Sequence, residues 1–139
     1  MPSAAQTVPV SKTMLWAGRI LGTLAVLFLL FDAALHLMKP APVAVAFAQL
    51  GYPLDLAVGI GIIELVCVVL YVIPRTSLLG AILLTGYLGG AVASQLRVGH
   101  AFFETVFPVI VGVLVWGGLF FRDGRLRAIF PLRSDRPFT

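Results

Sequence analysis

The chain has 139 residues, enough for one compact domain, and 60% of them are hydrophobic while only 12% are charged; an ordinary soluble domain runs at roughly 45–50% and 25%. With a mean hydropathy of +1.03, the apolar side chains exceed what a water-facing fold of this length buries, so the bilayer is the expected solvent. The net charge of +4 does not indicate nucleic acid, because the basic residues sit in gaps between apolar runs rather than in a patch interleaved with aromatics.

In chain order, "MPSAAQTVPVSK" is a small, polar leader without an A-x-A-like cleavage site after the apolar run that follows it, so residues 1–13 read as a tail and the run as a retained first span. That span covers 14–38 and stops at Lys39-Pro40-Ala41-Pro42, where closely spaced prolines cannot continue a helix. Asp32 and His36 interrupt its second half, four residues apart on one face. "VAVAFAQLGYP", at 43–53, is too short to cross and reads as an interfacial helix ended by Gly51.

The second span, 54–73, has Pro53 at its start and Pro74 beyond its end. Glu64 lies at its middle, about 15 Å below Leu54 at the helical rise, and shares a face with Cys67 and Tyr71. Cys67 is the only cysteine, which excludes an internal disulfide, a CxxC pair and a cysteine-rich zinc site. In an apolar span it reads as a small core residue.

The third span, 77–96, carries Gly86 and Gly90 in a GxxxG extended by Ser94, a face suited to close helix approach inside the bundle or to another subunit of a homo-oligomer. Tyr87 lies deep and needs a partner for its hydroxyl; Glu64 matches it in depth. Gln95 and Arg97 follow at the span's end. His100 and Glu104 open the fourth span, 102–121, with the remaining tail at 122–139. Trp16, Trp116, Tyr52 and Tyr71 fall near span ends, as interfacial anchors do. All-round apolarity excludes a porin-like barrel, so the expected fold is all-α: an antiparallel four-helix transmembrane bundle with a short interfacial helix between spans one and two.

With four spans, Lys12, Arg19, Arg75, Arg122, Arg125, Arg127, Arg133 and Arg136 fall on one side and only Lys39 and Arg97 on the other. The positive-inside rule then puts both termini in the cytoplasm. Asp32, His36, Glu64, Tyr87, Gln95, Arg97, His100 and Glu104 all gather in the outer half or at mid-depth. Ionisable groups at such depth cost about 2.5–3.5 kcal/mol on insertion scales and normally face a bundle interior or a wet cavity. The expectation is an outward pocket for a small apolar molecule with a polar head, such as a quinone. The competing expectation is an assembly protein whose polar residues only lock helix packing. A metal is not expected: the pairs are DxxxH and HxxxE rather than ExxH, and the chain has two histidines. No Walker loop, GxSxG, HExxH or dinucleotide fingerprint occurs, so no independent catalytic motif is present.

Three stretches together carry a resemblance: "KPAPVAVAFAQLGYPLDLAVGIGIIEL" (39–65), "IPRTSLLGAILLTGYLGGAVASQLRVG" (73–99) and "FPVIVGVLVWGGLFFRDGRLRAIFP" (107–131). In these the chain resembles the DoxX-like family of small four-span bacterial membrane proteins. The resemblance implies a bacterial inner-membrane location. It also implies a role beside a membrane redox enzyme, in thiosulfate:quinone oxidoreduction or the handling of oxidative stress. It maps a GxxEL glutamate to Glu64 and an Arg-x-Gly to Arg97. Where the family often has a glycine and a lysine in the first-span motif, this chain has Asp32-Ala33 and His36.

Overall fold

The first helix begins where Ser11 offers its hydroxyl oxygen to the Met14 amide, at 3.2 Å, satisfying one of the donors that every helix start leaves unpaired. In the computed structural model, which describes residues 11–129, six helices follow in order. They are α1 (Lys12–Met38), α2 (Ala41–Leu50), α3 (Leu56–Val72), α4 (Ser77–Val98), α5 (Phe102–Arg122) and α6 (Gly124–Ile129). No strand occurs among the described residues. Most of both expected tails lies outside the described residues.

The breaks have local causes. α1 stops at Lys39, which takes the left-handed conformation at φ 51° just before Pro40. α2 ends on Gly51, at φ 74°, where glycine pays no Cβ penalty. α3 starts at Leu56, two residues later than expected, because 53–57 first form tight turns: Leu56 bonds to the Pro53 carbonyl at 3.1 Å and Ala57 to Leu54 at 3.0 Å. The α3–α4 corner closes through hydroxyls. Thr76 donates to the Leu70 carbonyl and Ser77 to the Tyr71 carbonyl, each at 2.7 Å, so the last carbonyls of α3 find partners away from water. α4 runs to Val98 and ends on Gly99, at φ 69°. α6 is started by Asp123, whose Oδ1 accepts from the Arg125 amide at 2.9 Å.

α1, α4 and α5 are each long and apolar enough to cross a membrane. α3, with 17 residues, is about 26 Å long, at the short end of spanning length. Trp16, Phe31 and Val113 stand more than half exposed on the outside, an apolar surface suited to lipid rather than water. The chain is therefore an all-α membrane bundle. α1 touches α3 and α5, and α4 touches the same two, so the helices form a closed ring in chain order, with α2 leaning on α4.

The half of the bundle containing the end of α3 is solid. Ala25, Leu29, Val68, Leu84, Val115 and Leu119 fill it, none more than 4% exposed. α1 and α5 come together through glycines: a Cβ on Gly118 would lie 2.7 Å from the Gly22 backbone and 2.9 Å from the Tyr71 hydroxyl. Tyr71 is not an interfacial anchor. It is 1% exposed and donates to the Val115 carbonyl at 2.7 Å, with the Arg122 guanidinium over its ring at 5.5 Å. Its place near a span end suggested such an anchor, but the helix ring closes over it and α5 supplies the acceptor.

Candidate functional site

In the other half, the site starts from a close contact. A Cβ on Gly61 of α3 would stand 2.9 Å from the His36 Cβ and 3.2 Å from the Ala33 carbonyl oxygen of α1. The missing side chain lets α3 approach α1, and one turn later the same face delivers Glu64 to His36. His36 Nδ1 lies 3.5 Å from Glu64 Oε2 and 3.5 Å from Asp32 Oδ2, and 2.9 Å from the Asp32 carbonyl oxygen. From α4, the Tyr87 hydroxyl donates to Glu64 Oε2 at 3.0 Å, the partnership expected from their common depth. The Phe47 ring of α2 meets His36 edge-on, with centroids 5.8 Å apart. Glu64 is fully buried, and its Oε1 has no hydrogen-bond partner among the described residues.

Above this cluster opens a cavity of about 710 Å³, within the usual range for small-molecule sites. Phe28, Leu29, Phe47, Phe103, Phe107 and Val111 wall it, with Asp32, His36, Glu64 and Tyr87 on its lining. The Phe28 and Phe107 rings meet edge to face at 4.9 Å. Gln95 and Glu104 also line the cavity.

Six of the eight residues expected at a pocket therefore share one cavity, and two lie outside its wall. Arg97 donates to the Leu50 carbonyl at the end of α2 and lies over the Tyr52 ring at 5.3 Å, away from Glu64. His100 turns to the Gln95 amide oxygen rather than to Glu104. Gly86, Gly90 and Ser94 also face inward: all three line the cavity, and the Ser94 hydroxyl is 2.8 Å from that of Tyr52. A shallower groove of about 350 Å³ lies outside α4 and α5, along Gly89, Gly112 and Trp116.

The aromatic wall escaped the sequence reading. Its signal was there in the spacing, since Phe28, Asp32 and His36 fall four apart on α1, as do Phe103 and Phe107 on α5. Among the described residues, Asp32, His36 and Glu64 also form a group whose potential ligand atoms lie within 4.8 Å of one another. Sequence spacing paired Asp32 with His36 on α1, and depth grouped Glu64 of α3 with them, but neither showed that the three meet.

The family model of the DoxX-like family matches residues 20–118, from the first turns of α1 to nearly the end of α5, with the whole polar cluster inside. The chain belongs to the DoxX-like family. No curated protein and no solved structure matches it. In this DoxX-like protein the His36 imidazole of α1 faces the Glu64 carboxyl of α3.

Proposed function

We propose that this DoxX-like protein crosses the membrane four times, both termini cytoplasmic, and holds a small apolar molecule with a polar head in its cavity. A quinone in a bacterial inner-membrane redox system is the occupant that the chemistry suits best, with the protein as an accessory to a partner enzyme. The observation that carries this reading is the contrast within one cavity: aromatic and aliphatic walls around a floor where His36, Glu64 and Tyr87 are already linked. Apolar walls bury the ring and tail of such a molecule, and the linked polar groups hydrogen-bond its carbonyl or hydroxyl oxygens. In this reading His36 exchanges protons with it, backed by the fully buried Glu64. The distribution of basic residues, eight against two, supports a cavity opening away from the cytosol.

The test is binding of short-chain quinones to purified protein, followed by quenching of its tryptophans. Saturable binding is expected, weakened by His36→Ala and by Glu64→Gln. Full affinity in both variants rejects the reading. The second reading, an assembly protein without a ligand, draws on Gly89, whose position leaves open space beside it in the outer α4–α5 groove. A stable oligomer disrupted by Gly89→Leu and indifferent to quinones favours that alternative.

A further inference from the structure

The gap between Asp32, His36 and Glu64, whose potential ligand atoms all lie within 4.8 Å of one another, sits on the floor of the cavity. Two carboxyl groups face a single imidazole there, and among the described residues no lysine or arginine forms an ion pair with either. Arg97, the cation nearest in the sequence reading, is committed to Leu50 and Tyr52. Independently of that grouping, the fully buried Glu64 keeps one oxygen, Oε1, without any donor. A sealed acceptor of this kind calls for a missing partner.

The spacing defines the partner. His36 Nδ1 is 3.5 Å from an oxygen of each carboxyl. Metal–ligand bonds of about 2.1 Å separate neighbouring ligand atoms by about 3.4 Å in a tetrahedral shell. Each carboxyl thus stands close to coordination spacing from the imidazole, and the two carboxyl oxygens lie within 4.8 Å of each other. We propose that Asp32, His36 and Glu64 form a site for one divalent transition-metal ion, with an open coordination position facing the cavity. One imidazole and two carboxylates suit Zn²⁺, Mn²⁺, Fe²⁺ or Co²⁺ better than Ca²⁺ or Mg²⁺.

The surroundings support the ligands as outer-shell groups do. Tyr87 donates to Glu64 Oε2, and Phe47 braces the His36 ring; such contacts fix ligand orientation and raise affinity. The contact of His36 Nδ1 with the Asp32 carbonyl is the one the ion must displace, or the ring must turn to keep it. The inference adds to the reading of the cavity without resting on it, since the ion occupies the floor whether or not an apolar molecule sits above.

The experiment uses untagged full-length protein, so that its own two histidines are the only ones present. After chelation it is titrated with Zn²⁺ and with Co²⁺, and bound metal is measured by elemental analysis and, for Co²⁺, by visible absorption. One equivalent per chain is expected, with affinity falling about tenfold or more in Glu64→Gln and in Asp32→Asn and unchanged in Asp55→Asn. Should Glu64→Gln not fold, Asp32→Asn carries the test, because its side chain is about one-third exposed, at 34%. No stoichiometric uptake overturns the proposal and assigns the gap to a proton shared between the carboxyls. Uptake that survives both substitutions overturns it too. Quinone binding measured on the chelated protein keeps the two readings apart, since either can fail alone.

Discussion

Gly61 of α3 and His36 of α1 meet at a separation that leaves no room for a side chain: a Cβ on the glycine would stand 2.9 Å from that of the histidine. The neighbour is a rigid Cβ with a backbone carbonyl behind it, so relief requires the helices to part. Gly61→Val is expected to destabilise the bundle by about 1–3 kcal/mol and to separate His36 from Glu64. The midpoint of detergent-driven unfolding checks it, and a midpoint equal to the parent's rejects this account of the contact.

The α1–α5 seam offers a paired comparison. Gly118→Ala drives a methyl to within 2.7 Å of the Gly22 backbone and is expected to cost about 1–3 kcal/mol. Gly59→Ala meets nothing within 4 Å and is expected to change stability little. Equal thermal midpoints for the two proteins would contradict the seam.

Removing only the Tyr71 hydroxyl gives a gentler loss. Tyr71→Phe forfeits the bond to the Val115 carbonyl, worth about 0.5–1.5 kcal/mol net. The aromatic ring keeps its place in the core. The expected result is a small drop in unfolding midpoint with quinone affinity intact, because the hydroxyl lies in the solid half, away from the cavity.

Gly90 lines the cavity, and a Cβ on it touches nothing within 4 Å. Gly90→Leu is therefore expected to fold normally while occupying the space proposed for the ligand. Titration with short-chain quinones should show affinity reduced about tenfold or more, the scale of about 1.4 kcal/mol. Undiminished binding would remove the cavity as the binding place.

Lys39 holds a left-handed backbone, φ 51°, at the end of α1, a conformation that costs an L-residue about 1–2 kcal/mol. Lys39→Gly relieves that strain, and glycine's greater loss of chain entropy on folding offsets only part of the relief. A net gain of about 0.5 kcal/mol in chemical unfolding is expected, and a loss would show that the lysine ammonium matters more than its φ.

Apolar length and proline placement made the helices readable in advance, because both act locally along the chain. Depth was readable too, since residues equally far from a membrane face can meet: Tyr87 and Glu64 do, at 3.0 Å. Azimuth was not. Depth says nothing about which way a side chain turns around its helix axis, so Arg97 was grouped with Glu64 although it points to the end of α2. Tyr71 was read as an interfacial anchor although its hydroxyl is bonded inward to α5. Gly18 and Gly22 show the same gap. They repeat the four-residue spacing of Gly86 and Gly90, yet the first pair makes the tight helix seam and the second hollows the cavity.

The solid half has a mechanical implication. Tyr71, with its hydroxyl bonded across to α5, and the glycine seam beside it stopper the bundle beneath the cavity. A single chain so plugged is a cup rather than a pipe: whatever enters must depart by the same lip or sideways into lipid. Carrying cargo from one face to the other would demand that the stopper come apart.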